Sequence, residues 1–276
     1  MRIITLVENS CIDGLDCAHG LALYIETENH KILFDAGPDG KLLLSNAKKL
    51  GIELKEVDIA ILSHGHYDHA GGLRAFLEIN SIARVYIHPL AATRGHYATE
   101  NTGWRDIGID RNLISDYKER IRLTNDIHAI DKELLLFSDI RSSEFLSASN
   151  SSLFEEADGE YIPDPFKHEQ NLLIHEGEKI CLVAGCTHRG IINIIRRVED
   201  ICDEAPNYVF AGFHLTNPGL GQDLPADFVR QVGKELKKHP SIYYTGHCTG
   251  ANAFSILKEE LGDRIHKLTS GLNVTL

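Results

Sequence analysis

The chain has 276 residues, of which 43% are hydrophobic and 25% charged, and these proportions allow a sizeable globular core. Its formal net charge of −12 argues against binding to nucleic acid or to an anionic membrane surface, because lysine and arginine nowhere cluster beyond a pair. No apolar segment approaches the roughly 20 residues that a membrane-spanning helix requires. We therefore expect a cytoplasmic protein with reduced cysteines and without a signal peptide.

The first ninety residues alternate between predicted strands and helices. The segments MRIITLVENS, HGLALYIET and HKILFDAG predict strands, and GKLLLSNAKKLG predicts a helix that ends at a glycine. VDIAILS predicts a buried strand, GGLRAFLEI a short helix and ARVYIHP another strand. This alternation is typical of a layered α/β fold.

Residues 91–170 lack a clear hydrophobic period, and we predict a long variable excursion with a few short strands such as IRLTN and ELLLFS. Long irregular segments often form lids or binding loops. Cationic and aromatic side chains in and near this segment suit a small phosphorylated or heteroaromatic molecule, although all of them can equally be ordinary surface residues. They are Arg94, His96, Tyr97, Trp104, Arg105, Arg111, Tyr161, Lys167 and Arg189.

The second half returns to regular alternation. NLLIHEG and EKICLVAG predict a hairpin, followed by the helix GIINIIRRVEDICDEA and the strand NYVFAGF. The helix PADFVRQVGKELKKH, the strand SIYYTGH, the helix ANAFSILKEELG and a closing strand IHKLTS follow. Because this half repeats the first in type, without a linker, we predict a single α/β domain over residues 1–276 built of two similar halves.

The segment ILSHGHYDHAGGL places His64, His66, Asp68 and His69 directly after a buried strand. Imidazole nitrogens and carboxylate oxygens are ligands for divalent metals. His64 and His66, separated by one residue, can hold one ion from a tight loop, and the next two residues of the motif can reach a second ion. The segment therefore predicts a metal site with two ions.

Three further histidines follow strands in the second half, each within two residues of a glycine: His188, His214 and His247. The carboxyl ends of parallel strands are where α/β folds bind ligands, so these residues are candidates to complete the site. Cys186 and Cys248 lie close to them in sequence. We interpret both cysteines as small buried residues, with zinc ligation as the alternative.

The HxHxDH motif after a buried strand, with later strand-end histidines, resembles the metallo-β-lactamase superfamily over essentially the whole chain. LSHGHYDHAGGL, DPFKHEQNLLI, GCTHRGIINII and YTGHCTG are similar to a branch of metal-dependent hydrolases. That branch includes an archaeal synthase that joins a dihydropterin methyl group to a ribofuranosyl-aminobenzene phosphate. The resemblance implies an αββα sandwich with a metal site at one edge of its two sheets.

The resemblance also implies a ligand set for two divalent ions. Zinc is the expected metal, with iron, manganese, nickel and magnesium as alternatives. The first ion would be bound by His64, His66 and His188, and the second by Asp68, His69 and His247.

Other residues are candidates to support these ligands or to contact substrate. Asp35 in LFDAG matches a superfamily carboxylate and is interpreted as supporting the metal loop by hydrogen bonds. His19, His168 and Arg189 are the remaining candidates.

The implied activity is hydrolysis of a small ester, lactone or phosphodiester by a metal-bound hydroxide, with Asp68 accepting a proton and His214 protonating the leaving group. Hydrolytic superfamily members usually carry a bridging aspartate where this chain has His214, and a histidine cannot bridge two ions in the same way. This departure motivates an alternative, a transferase joining a pterin-methyl diphosphate to a ribofuranosyl-aminobenzene phosphate type acceptor. A non-catalytic metal-binding module is a third reading. Either enzyme would act on a small molecule. The sequence is compatible with a homo-oligomer.

Overall fold

The computed structural model describes residues 1–100, 103–217 and 221–276, which form two compact units. The first unit contains Met1–His96, Asp106–Asn125 and Leu268–Leu276, and the second contains Tyr97–Arg105 and Asp126–Lys267. Each unit holds a seven-stranded sheet and helices, which confirms the predicted α/β class with two similar halves. The prediction of a single domain over residues 1–276 stays a prediction.

The strands in chain order are β1 (Arg2–Val7), β2 (Ala22–Glu26), β3 (Lys31–Phe34), β4 (Ile59–Ile61), β5 (Arg84–Ile87), β6 (His96–Glu100), β7 (Gly103–Asp106), β8 (Ile121–Leu123), β9 (Ile127–Ala129), β10 (Leu134–Phe137), β11 (Leu153–Ala157), β12 (Glu160–Pro163), β13 (Asn171–Glu176), β14 (Lys179–Val183), β15 (Tyr208–Gly212), β16 (Thr216–Asn217), β17 (Gln222–Asp223), β18 (Ile242–Gly246), β19 (Ile265–Lys267) and β20 (Asn273–Thr275). The α-helices are α1 (Gly40–Lys49), α2 (Tyr67–Ala70), α3 (Leu73–Ile79), α4 (Pro89–Thr93), α5 (Leu113–Asp116), α6 (Ile191–Cys202), α7 (Ala226–Leu236) and α8 (Ala251–Leu261). Short 3-10 turns lie at Leu54–Glu56, Ala148–Ser152, His247–Thr249 and Gly262–Arg264.

The two large sheets share one succession of strand pairings. The first unit has the order β20-β1-β2-β3-β4-β5-β8, antiparallel as far as β3 and parallel from there on. The second unit has the order β9-β10-β13-β14-β15-β18-β19, antiparallel as far as β14 and parallel beyond it. In each unit, neighbouring parallel strands therefore end at the same edge of their sheet, where the predicted ligands follow.

Each unit buries its own hydrophobic core. In the first unit, Leu33 and Val85 of the sheet belong to the same buried cluster as Phe76 of α3. In the second unit, α6 buries Ile191, Ile194, Ile195 and Val198, whose spacing puts them on one helical face. These apolar faces explain why the periodic segments of the sequence form helices where predicted.

Residues 91–170 hold more regular structure than predicted. The two strands predicted there are β8 and β10, which belong to the two large sheets. Strands β11 and β12 join β6 and β7 in a separate four-stranded sheet. Asn101 and Thr102, within the predicted excursion, lie outside the described residues.

The prediction that IHKLTS closes the chain's strands is wrong, because β20 follows it and pairs antiparallel with β1. A three-residue strand carries no periodic signal, so its sequence did not reveal it. All six cysteines are free, as predicted. No helix within the described ranges is both long and apolar enough to cross a membrane.

Candidate functional site

In the first unit, the predicted metal loop runs from the end of β4 into the single turn of α2. His64, His66, Asp68 and His69 are all buried there, with at most 7% of their surface exposed. The backbone N–H groups of His69 and Ala70 both donate to the carbonyl of His66. The turn therefore brings the four predicted ligands of this segment together on a short stretch of backbone.

The donor atoms of this loop form two close pairs. Nε2 of His64 lies 3.1 Å from Nδ1 of His66, and the two rings meet edge to face. Nε2 of His69 lies 3.7 Å from Oδ2 of Asp68. Both separations are close to the roughly 3.3–3.8 Å between neighbouring donors of a tetrahedral ion with bonds of about 2.0–2.3 Å.

Asp35, which follows β3 and is 2% exposed, orients two of these histidines. Its carboxylate accepts hydrogen bonds from the backbone N–H and the hydroxyl of Ser63, both at 2.7 Å, and Oδ2 lies 2.6 Å from Nδ1 of His69. Since the Ser63 hydroxyl donates to Asp35, its oxygen accepts from Nδ1–H of His64 at 2.8 Å. Both imidazoles thus carry their proton on Nδ1 and their lone pair on Nε2, the form that binds a metal.

His19 contacts the same loop through Asp68. The backbone N–H of Gly20 donates to Oδ1 of Asn9, so the Asn9 amide nitrogen faces Nδ1 of His19 at 3.2 Å and donates to it. The His19 proton is then on Nε2, which lies 3.3 Å from Oδ2 of Asp68. His19 therefore donates to a predicted ligand and keeps about a third of its side chain exposed.

In the second unit, His188 follows β14, His214 follows β15 and His247 follows β18, and all three are buried. The rings of His188 and His214 have centroids 4.1 Å apart. His214 and His247 adopt left-handed backbone conformations, with φ of +48° and +49°, which non-glycine residues rarely take and which are common at functional sites. Within the described part of the chain, neither ring nitrogen of His214 makes a hydrogen bond.

A buried side-chain network holds His188 in place. The Asn150 amide donates to the His188 carbonyl, so its oxygen faces Nδ1–H of His188 at 3.1 Å and leaves the ring lone pair on Nε2. The ring of Phe166 stacks on that of His188 at 4.3 Å. Glu169 accepts from the backbone N–H groups of His188 and Arg189 at 2.6 and 2.9 Å. Burial raises the pKa of Glu169 to about 7, although these two hydrogen bonds lower it.

Sequence reasoning missed Asn150, Phe166 and Glu169. A signal was available for Phe166 and Glu169, because both lie in the segment DPFKHEQNLLI, which was identified only by its resemblance to the family branch. His168 itself is fully buried, with Nε2 3.0 Å from Oδ2 of Asp164. The guanidinium of Arg189 donates to backbone carbonyls, those of Ile140, Ser142 and Pro165.

The cysteines that follow β14 and β18 lie among these histidines. Donor atoms of Cys186, His188 and His214 all lie within 4.8 Å of one another, and so do those of Cys186, His247 and Cys248. Burial raises the pKa of the Cys248 thiol, but the neighbouring Cys186 thiol and the His214 and His247 rings outweigh burial and hold that pKa well below its usual range. Both cysteines are buried, as their interpretation as small buried residues expects, and their thiols lie near the histidine nitrogens, as the alternative of zinc ligation requires.

A cleft of about 270 Å³ opens beside His188 within the second unit. Its lining is Leu146, Ser147, Asn150, Ser151, Pro163, Asp164, Pro165, Phe166, His188 and Arg189. On the four-stranded sheet, half-exposed Trp104 stacks on Tyr161 at 5.0 Å, and Tyr97 meets Tyr161 edge to face. Three of the aromatic residues predicted as candidate ligand contacts therefore lie together on this sheet, and their role in binding stays a prediction.

The residues present fit divalent metal ions. His64, His69 and His188 are held in the tautomer that binds a metal, and His214 is buried without a hydrogen-bond partner among the described residues. A buried polar ring that lacks a partner is costly, and metal coordination removes that cost.

The chain is similar to known proteins in both sequence and fold. The family model described as "Metallo-beta-lactamase superfamily" matches residues 15–247. The chain is 30% identical to the 7,8-dihydropterin-6-methyl-4-(beta-D-ribofuranosyl)-aminobenzene-5'-phosphate synthase of Methanocaldococcus jannaschii, over 92% of this chain and 88% of the synthase. It is 29% identical to an uncharacterized protein of the same organism, over 92% and 93% of the two chains. The solved structure of Tm1679, described as a metal-dependent hydrolase of the beta-lactamase superfamily, matches with a TM-score of 0.82 and 30% identity, covering 100% of this chain and 99% of that one.

Proposed function

Because this chain belongs to the metallo-beta-lactamase superfamily, we propose that it is a metal-dependent hydrolase of a small ester, lactone or phosphodiester. One observation carries the proposal, the two close donor pairs in the metal loop. His64 and His66 offer nitrogens 3.1 Å apart, and His69 and Asp68 offer a nitrogen and an oxygen 3.7 Å apart. Each pair suits one divalent ion, with zinc as the expected metal.

The proposed ligand assignment follows the family resemblance. His188 is added to the pair His64 and His66, and His247 is added to the pair Asp68 and His69. The second-unit histidines are supported as ligands by their burial and by their positions directly after parallel strands.

Side chains of the protein itself would carry out the proton transfers of this reaction. When bound, divalent ions lower the pKa of a water to about 7 and polarise the carbonyl or phosphoryl oxygen under attack. Asp68 accepts a proton from the attacking water at its other carboxylate oxygen, Oδ1, while Nε2–H of His19 orients the carboxylate through Oδ2. His214 donates a proton to the leaving group from a ring that is engaged by no other hydrogen bond among the described residues. The cleft beside His188 suits a small substrate.

The test is a metal-loaded activity panel. Protein stripped of metal and reloaded separately with zinc, manganese, iron, nickel, cobalt or magnesium is assayed on esters, lactones and phosphodiesters. We expect at least one substrate class to be cleaved, and Asp68→Asn to abolish cleavage while the exposed control Asp227→Asn retains it. If no metal form of the protein cleaved any of these substrates, the proposed hydrolase function would be wrong.

A second candidate is a transferase that joins a pterin-methyl diphosphate to a ribofuranosyl-aminobenzene phosphate type acceptor. The 30% identity to a named synthase supports it. The family resemblance also supports it, because it implies His214 at the place where hydrolytic members usually carry a bridging aspartate. Carbon–nitrogen bond formation would release pyrophosphate and one proton. Pyrophosphate release that requires both reactants would favour this candidate, whereas release without the acceptor would favour the hydrolase. Turnover of either kind would exclude a non-catalytic module.

A further inference from the structure

The loops after β14 and β18 bring two thiols and an imidazole to one place in the second unit. Sγ of Cys186, Sγ of Cys248 and a ring nitrogen of His247 lie within 4.8 Å of one another. All three residues are buried, with at most 4% of their surface exposed. Neighbouring donors around a tetrahedral ion are about 3.3–3.8 Å apart, so small side-chain rotations would close the group on one ion.

The backbone around this group is cross-linked. The Thr187 hydroxyl donates to the Gly212 carbonyl at 2.7 Å, and the backbone N–H of Phe213 donates to the Thr249 hydroxyl at 2.9 Å. The backbone N–H of Leu215 donates to the Cys248 carbonyl at 2.9 Å. These bonds tie together the ends of three neighbouring parallel strands, so the three donors are positioned before any ligand arrives.

Gly212, the last residue of β15, leaves the room that the Cys248 thiol occupies. A β-carbon at this position would lie 2.5 Å from Sγ of Cys248. Any side chain here would therefore displace the thiol. Cys181 is also buried, but unlike Cys186 and Cys248 it lies within a strand and not after a strand end. Its backbone in β14 pairs with those of Ile174 and Tyr208.

We propose that Cys186, Cys248 and His247 bind a soft divalent ion through two thiolates and one imidazole. The inference rests on the proposed function in one respect, that His247 is a metal ligand, and the ion meant is the one that the proposed function assigns to His247. Binding releases two thiol protons to solvent, and two thiolates balance the charge of the ion, which a buried site needs. The thiolates thus supply the negative charge that a bridging aspartate supplies elsewhere and His214 cannot. Thiolate donors select zinc, cobalt or cadmium over magnesium or manganese.

The first test uses the wild-type protein loaded with zinc and, separately, with cobalt(II). We expect zinc X-ray absorption to show sulfur at about 2.3 Å in addition to nitrogen at about 2.0–2.1 Å, and the cobalt form to show a thiolate-to-cobalt charge-transfer band. Zinc bound through nitrogen and oxygen alone would overturn this inference and leave the proposed function standing. Failure of any divalent metal to bind would overturn both.

The second test uses Cys186→Ala, Cys248→Ala and the double variant, with Cys202→Ala at the end of α6 as the matched thiol control. We expect each single variant to weaken the charge-transfer band and lower zinc affinity more than about tenfold, and the double variant to lose the band. The control should keep both. A band that survives in the folded double variant would refute the assignment. If a variant fails to fold, the wild-type absorption spectrum alone decides.

Discussion

Oδ2 of Asp35 lies 2.6 Å from Nδ1 of His69, and both side chains are completely buried. The carboxylate also receives two hydrogen bonds from Ser63, and Asp35 holds a left-handed backbone conformation with φ of +58°. A non-glycine residue keeps such a conformation only where its surroundings require it. Here the requirement is the orientation of two imidazoles at the start of the metal loop.

Asp35→Asn should weaken metal binding by about 10- to 100-fold, because an amide replaces one accepting oxygen with a donor and cannot accept all three hydrogen bonds that Asp35 receives from Ser63 and His69. The free energy of unfolding should fall by about 1–3 kcal/mol for the buried donor left unsatisfied. Asparagine tolerates the left-handed conformation, so backbone strain does not confuse the result. Chelator competition and chemical denaturation measure the two effects, with Asp227→Asn as an exposed control of equal charge change. Unchanged metal affinity would contradict the role of Asp35.

His19 should carry its proton on Nε2 in the metal-free protein, because the Asn9 amide donates to Nδ1. Asn9→Asp replaces that donor with a carboxylate, so Nδ1 should become protonated. Long-range ¹H–¹⁵N correlation spectra of the imidazole distinguish the two states. If the ¹⁵N pattern of His19 is the same in both proteins, Asn9 does not set its tautomer.

His214→Asn should keep the metal content of the wild-type protein and lower kcat by about 10²–10⁴-fold, the usual size of a lost general acid. Asparagine is chosen because it accepts the left-handed backbone at this position. Elemental analysis and turnover of whichever substrate is cleaved measure the two quantities, with exposed His266→Ala as control. Loss of one ion per chain would instead make His214 a ligand in place of the missing aspartate.

We expect the buried phenol of Tyr243 to lower the free energy of unfolding at alkaline pH. Burial raises the pKa of this phenol from 10 to about 12, and its hydroxyl donates to the Leu236 carbonyl at 2.7 Å. Because the folded-state pKa is the higher one, this contribution is fully present below pH 10 and lost as the pH rises to 12. It amounts to about 3 kcal/mol.

Tyr243→Phe should lower the free energy of unfolding by about 1 kcal/mol at neutral pH and should remove this part of the alkaline loss. Urea denaturation of both proteins between pH 8 and pH 12 measures the difference. Parallel stability curves for the two proteins across this range would show that Tyr243 is not the titrating group.

The metal loop shows which features of the candidate site can be predicted from the sequence. The HxHxDH spacing identified four donors correctly as neighbours, because the residues lie within one turn of chain. It did not indicate that Nε2 of His64 lies beside Nδ1 of His66, or that hydrogen bonds to Asn150 and Asp35 fix the tautomers of the candidate ligands His188 and His69. Those choices depend on hydrogen bonds between residues far apart in the chain, such as Asn150 and His188.

The sequence by itself determined the α/β class, most long strands and helices, and which histidines are candidate metal donors. Hydrophobic periodicity and local spacing involve only a few consecutive residues, so both can be recognised in the sequence without knowing which distant residues pack together. Only the tertiary structure decided that β20 pairs with β1, and that Cys186 and Cys248, 62 residues apart, lie side by side near His247. The physical reason is that short strands and single thiols acquire their roles from the neighbours that parallel strand pairing brings to them.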